Sequence, residues 1–145
     1  MKLRVIPVLA ALTLALLVAS CVPPTAPSTV TSIEVSCDDF GKQPHISKEI
    51  NVVAGNTFTV TLCSNATTGF KWSESAQISD QTVVQQMSHE FLSPENKGLM
   101  GAPGKEVWTF KALKKGTSSI AMEYSRPWQG GDKGEWTFNI TVTAK

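Results

Sequence analysis

The segment Trp136-Thr137-Phe138-Asn139-Ile140-Thr141-Val142-Thr143 constrains this chain more than any other. Large apolar residues at 136, 138, 140 and 142 alternate without a break with polar ones at 137, 139, 141 and 143. A helix would spread those apolar positions around its axis; a strand puts them all on one face. The chain therefore needs a sheet with one side buried. Other runs repeat the pattern. Ser32-Ile33-Glu34-Val35-Ser36 alternates, and so does Thr57-Phe58-Thr59-Val60-Thr61-Leu62. Ile46, Ile50 and Val52 share a face on which Lys48 is the exception. Trp108 and Phe110 share a face of a strand at 105–111; Ser118, Ile120, Met122 and Tyr124 share one of the next strand. Phe70 and Trp72 open another strand, which passes into a polar connection by residue 79. Residues 82–87 and 88–91 read as short, irregular strands.

Turn-forming residues separate these runs. Residues 38–44 read as a turn, as do Ala54-Gly55-Asn56 and Lys114-Lys115-Gly116. Residues 93–104 form a long loop in which Pro94, Gly98, Gly101, Pro103 and Gly104 break any ladder. Residues 126–134 are also loop. No segment has a convincing amphipathic-helix period. Short strands at regular spacing predict an all-β, immunoglobulin-like β-sandwich over residues 32–145, long enough for one domain with a core. The Trp and two-Cys spacing of antibody domains is not found.

Residues 1–20 have a different character. Lys2 and Arg4 precede an almost unbroken apolar run at 5–18, followed by small Ala19 and Ser20. This predicts a secretory signal peptide, shorter than a membrane span needs; an uncleaved anchor is the competing reading. Leu17-Val18-Ala19-Ser20-Cys21 resembles the lipobox of bacterial lipoproteins, which implies cleavage before Cys21, lipidation of its thiol and attachment to a bacterial membrane. Three prolines in residues 21–31 make that stretch an extended tether. In an exported chain the remaining pair, Cys37 and Cys63, reads most simply as a disulfide. A metal site would need more ligands, and neither His45 nor His89 stands at ligand spacing from a Cys. A Cys/His catalytic pair is the competing reading, with no nucleophile motif around either Cys. Alternation puts Cys37 on the inward face of its strand and Cys63 on the outward face. A bridge therefore requires a re-aimed side chain at a strand end.

Asn65-Ala66-Thr67-Thr68-Gly69-Phe70, between two strands, resembles the Asn-Pro-Thr-Thr-Gly-aromatic signature of the chagasin family, with Ala66 where that family usually has Pro. Leu99-Met100-Gly101-Ala102-Pro103-Gly104 resembles the family's glycine loop, and Arg126-Pro127-Trp128-Gln129-Gly130 its Arg-Pro-Trp loop. Each segment alone reads as readily as a hairpin turn or, for Trp128, as a core residue. All three occur in the family's order and spacing. The resemblance implies a monomeric, cofactor-free, non-enzymatic inhibitor of papain-like cysteine proteases, reversible and non-covalent. Thr67 and Thr68 would form the tip of a loop entering the active-site cleft, flanked by Gly101, Ala102, Pro103 and Gly104 on one side and by Arg126, Pro127 and Trp128 on the other.

The residues agree with that expectation. In a sandwich, loops between successive strands gather at one end. Glycine lets backbone approach closely, Pro127 limits loop entropy and Trp128 offers a large rigid contact. A formal charge of +1 gives no electrostatic reason to expect nucleic acid. The chain offers no convergent acid/base pair for an enzyme. An adhesion or ligand-binding sandwich using the same loops is the alternative reading.

Overall fold

The computed structural model describes residues 31–94 and 101–145. The segments expected to be a signal peptide, a lipidation site at Cys21 and a tether up to residue 30, together with Leu99 and Met100, lie outside the described residues. Within them the chain forms β1 (Thr31–Val35), α1 (Cys37–Lys42), β2 (His45–Val52), β3 (Thr57–Ser64), β4 (Lys71–Trp72), β5 (Gln77–Ile78), β6 (Val84–Leu92), β7 (Gly104–Ala112), β8 (Gly116–Ser125) and β9 (Trp136–Ala144). One sheet has the order β1-β3-β7-β6 and the other β2-β9-β8-β4, with β5 also pairing β8. The pairs β1–β3 and β2–β9 are parallel and the rest antiparallel. This is the all-β sandwich that the alternation predicts, with the immunoglobulin-like topology that the family resemblance implies.

The core is where the inward faces meet. Phe58, Val60 and Leu62 of β3 and Trp108, Phe110 and Ala112 of β7 pack toward Ile120, Met122 and Tyr124 of β8 and Phe138, Ile140 and Val142 of β9. Burying each large side chain contributes about 1.5–3 kcal/mol. Toward one end the filling becomes aromatic. Phe70, Tyr124, Trp136 and Phe40 form a column of near-parallel rings with successive centroids 5.4, 4.8 and 4.9 Å apart. Trp72 leans on both Phe40 and Tyr124, at 5.2 Å from each.

Three sequence expectations need correction. Residues 38–44 are not simply a turn, because α1 occupies most of that segment. Six residues are too few for a visible helical period, but the local chemistry is strong. Ser36 Oγ accepts from Asp39 N at 3.2 Å, and the Asp39 carboxylate accepts from Ser36 N at 3.0 Å and Ser36 Oγ at 2.6 Å, a capping box. The Ser36 side-chain bond, then its backbone bond, hold the Asp39 carboxyl below the ordinary aspartate range. The box is thus complete at neutral pH and fails only as pH falls through that lowered value. The two short strands expected over 82–91 are one, Val84–Leu92, with Thr82 and Val83 in the turn before it. A bulge between Gln86 and Ser88 leaves Met87 out of register and breaks the period.

The third correction concerns Cys63. Leu62, Cys63 and Ser64 are all buried, so alternation stops at the end of β3. Helix α1 packs against β3 there, and Cys37 bridges Cys63 with Cα atoms 5.1 Å apart across a sequence separation of 26. The bond ties the first helix to the strand that leads into the Asn65 loop. Removing it with the pair Cys37→Ser and Cys63→Ser should lower unfolding free energy by about 3–3.5 kcal/mol in the chain-entropy account. Urea titration of both proteins checks this, and so does a thiol count on the unfolded, unreduced chain, which should detect no free thiol from this pair.

Candidate inhibitory edge

Strand register collects the three motif segments. Ser64, the last residue of β3, pairs with Gly104, the first of β7; Lys71 of β4 pairs with Ser125 at the end of β8; and Tyr124 pairs with Trp136 at the start of β9. The segments after β3, before β7 and after β8 therefore leave the sandwich at one end. Thr31 and the turns at 53–56 and 113–115 lie at the other.

The first loop orders itself. Asn65 caps a 3-10 turn, Ala66–Thr68; its Oδ1 accepts from Thr67 N at 3.2 Å and Thr67 Oγ1 at 2.7 Å. The carbonyl of Asn65 accepts from Thr68 N at 3.2 Å and Thr68 Oγ1 at 2.7 Å. Gly69 closes the turn at φ +79°, a conformation that strains any side chain. Both threonine hydroxyls are thus donated inward, while Ala66, Thr67 and Thr68 remain exposed.

The loop is then tied to its neighbours. Tyr124 Oη accepts from Asn65 N at 2.9 Å and donates to Asn65 O at 3.3 Å. Asn65 Nδ2 donates to the Gly101 carbonyl at 3.0 Å, joining the first loop to the glycine loop. The third loop joins through aromatics. The Arg126 guanidinium lies 4.4 Å from the Phe70 ring centroid and 5.9 Å from that of Trp128. The Trp128 indole covers Gly69, where a Cβ would meet its Cη2 at 2.7 Å. Arg126 also donates to Asp132 Oδ2 at 2.6 Å, and its N–H to the Asp132 carbonyl at 2.8 Å, which closes the third loop on itself.

The motif residues divide by exposure. Ala66, Thr67, Thr68, Gly101, Pro103, Pro127 and Trp128 face solvent; Asn65, Gly69, Phe70, Ala102 and Arg126 are half-buried supports. Trp128 keeps 52% of its surface exposed despite its contact with Gly69. Gly104 is a buried stem residue, because a Cβ there would sit 2.5 Å from the Leu92 carbonyl. Two supports stand outside the three motifs. The alternation puts Tyr124 on a core face, and nothing in the sequence marks its hydroxyl. Glu106 did carry a signal: it is in phase with Trp108 and Phe110, a carboxylate on the buried side of a strand.

A profile of the family described as "Chagasin family peptidase inhibitor I42" matches residues 51–142, more than half of the chain. The chain belongs to the chagasin family of peptidase inhibitors. It is 28% identical over 102 residues to chagasin of Trypanosoma cruzi, an alignment covering 69% of this chain and 92% of that protein. It is also 28% identical over 106 residues to amoebiasin-2 of Entamoeba histolytica, covering 72% and 79%. Among solved structures it resembles a cysteine protease inhibitor from Entamoeba histolytica at TM-score 0.61 and 20% identity, covering 80% of this chain and 97% of that one. It likewise resembles the structure of PbICP-C in complex with falcipain-2, at TM-score 0.56 and 17% identity, covering 79% and 99%. These structural likenesses concern the fold.

Position 66 departs from the motif, and the geometry accommodates the usual proline. Ala66 is the first residue of the 3-10 turn, and Asn65 before it is extended at φ −116°, ψ 93°, as a residue preceding proline must be. Ala66→Pro should raise stability by about 0.4–1 kcal/mol by restricting the unfolded chain. Gly69→Ala should do the reverse, costing about 1–2 kcal/mol for a left-handed residue, and should displace the indole above it. Denaturant midpoints measure both changes, and Trp fluorescence reports the displacement.

Proposed function

We propose that this chain is a reversible, non-covalent inhibitor of papain-like cysteine proteases that occludes the active-site cleft with its three loops. The observation that supports this most is the mutual locking of the loops: Asn65 to Gly101, Gly69 to Trp128, and Phe70 to Arg126. Three segments fixed to one another form a single edge that enters a concave cleft without first paying for its own order. Chagasin-family membership supports the activity. The relative described as a cysteine protease inhibitor and the one solved with falcipain-2 support the target class. In this reading the Thr67-Thr68 tip enters the cleft. The exposed Gly101 and Pro103, with half-buried Ala102 between them, line one flank, and Trp128 covers the other. The protein acts as a monomer, because one edge suffices for one cleft.

We further propose that the inhibitor is exported and held to a bacterial membrane by lipid on Cys21, on the strength of the Leu17–Cys21 sequence. Cys21→Ser should move the full chain from the membrane fraction to the soluble fraction and abolish labelling by radioactive fatty acid.

Titration of the purified domain against papain and a cathepsin-type protease, with a serine protease as control, tests the inhibitory reading. Inhibition of the first two alone is expected. Complete absence at micromolar concentration would shift the reading to a ligand-binding module. Within the same assay Trp128→Ala separates a contact residue from a core residue. It should weaken inhibition about thirty-fold, or about 2 kcal/mol. Its effect on unfolding should stay under about 0.5 kcal/mol, as for a surface substitution, far below the 3–5 kcal/mol of an emptied core site.

A further inference from the structure

The first loop is also the point where the chain leaves one sheet for the other. Its incoming stem, Ser64, belongs to the β1-β3-β7-β6 sheet, and its outgoing stem, Trp72, to the β2-β9-β8-β4 sheet. Ladder hydrogen bonds fix each stem within its own sheet, but none fixes the gap between them. The Trp72 indole N–H reaches across it to the Cys63 carbonyl at 2.9 Å, and a buried carboxylate joins the backbone of one stem to the side chain of the other. Glu106 of β7, 4% exposed, accepts through Oε1 from Ser64 Oγ at 2.7 Å and from the Trp72 backbone N–H at 3.2 Å. One oxygen atom thus holds both ends of the loop.

The other oxygen is oriented from the opposite direction. Glu106 Oε2 lies 2.8 Å from His89 Nε2 on β6. A carboxylate only accepts, so that nitrogen carries the proton. The His89 ring in turn lies on Trp108, with centroids 4.7 Å apart. Leucine or phenylalanine would fill this position of a core-facing strand without the cost of removing a charge from water. A buried glutamate there, with three donors converging on it, has a more specific role than filling space.

We propose that Glu106 is a positioning residue for inhibition: it sets the separation of the two stems of the Asn65–Phe70 loop and so holds the loop in its binding-competent shape. This rests on the inhibitor reading above for its functional consequence, though not for its geometry. When the clamp is lost, the loop samples other shapes. The measured affinity then falls by the fraction of time the competent shape is populated.

The test compares Glu106→Leu and Glu106→Gln. Glutamine keeps an oxygen for Ser64 and Trp72 and turns its amide toward His89, which as a neutral ring can accept through Nε2. Leucine keeps the volume and offers neither. Glu106→Leu should weaken inhibition of papain about ten-fold or more, mainly by slowing association, while Glu106→Gln stays within about three-fold of the parent. Val142→Ala, at a core position of β9 remote from the loops, is the comparison for lost stability. It should lower the melting temperature yet leave the inhibition constant unchanged.

A second measurement needs no protease. Exchange of the Thr68 and Gly69 amides, bonded to the Asn65 and Ala66 carbonyls, should quicken in Glu106→Leu while the amides of β9 keep their parent rates. Should Glu106→Leu fail to fold, Ser64→Ala removes one arm of the clamp and should change both readouts in the same direction. Parent-like loop exchange in the folded leucine variant, or in Ser64→Ala if leucine does not fold, would overturn the proposal. So would Val142→Ala weakening inhibition as much as Glu106→Leu. If the parent protein inhibits no papain-like protease, the inhibitor reading fails, and the exchange comparison alone decides whether Glu106 sets the loop.

Discussion

A β-sandwich has hydrogen-bonded ladders within each sheet and only side chains between them, and this chain crosses between its sheets inside the segment it offers to solvent. That crossing governs the rest of the loop end. Tyr124, rooted in one sheet, holds the backbone of Asn65 as it leaves the other. The Trp72 indole reaches back to the Cys63 carbonyl at 2.9 Å. The disulfide fixes α1 to the same corner. Apolar contact could press the two sheets together there, but it is non-directional and would leave the loop free to shift. Directional bonds supply what packing lacks.

Apart from the disulfide, none of these contacts is strong alone. A typical hydrogen bond nets about 1 kcal/mol, and an exposed cation–π contact about 0.5–1 kcal/mol. Their effect comes from sharing partners. Phe70 lies between the Arg126 guanidinium and the Tyr124 ring, and Tyr124 bonds Asn65, which bonds Gly101. A change at one loop is therefore felt at the other two. Below them the ring column from Phe70 to Phe40 carries the edge down into the core.

Much of this architecture was legible from alternation. The strands at 57–62, 105–111, 118–124 and 136–142 stand where period two put them, because one buried face is a global requirement that every strand must meet. What was not legible depended on local or paired chemistry. The α1 segment carries no helical period in six residues; its signal is Ser36 three before Asp39, which is equally at home in a turn. At β6 the bulge at Met87 shifts the phase midway and splits one strand into two apparent ones. Cys63 looked outward only because the cover over the end of β3 comes from a helix the alternation did not reveal. The loop residues were legible through the family motif. The side chains that hold them, Tyr124 and Glu106, were not, since a hydroxyl or carboxylate finds its partners only after the sheets have stacked.

The parallel pairing of β1 with β3 has a geometric consequence. Because β3 runs toward the loops, β1 does too, and the chain enters the sandwich at Thr31, at the pole remote from them. An antiparallel first strand would have brought the incoming polypeptide up among the loops, where it would compete for the same space as any cleft. As built, the domain is vectorial, with Thr31 at one pole and the loop edge at the other. A strand length of about 3.3 Å per residue separates them. Any attachment made through the segment before Thr31, the proposed lipid included, therefore joins the domain at the pole opposite the loops and leaves the space around the edge to a partner.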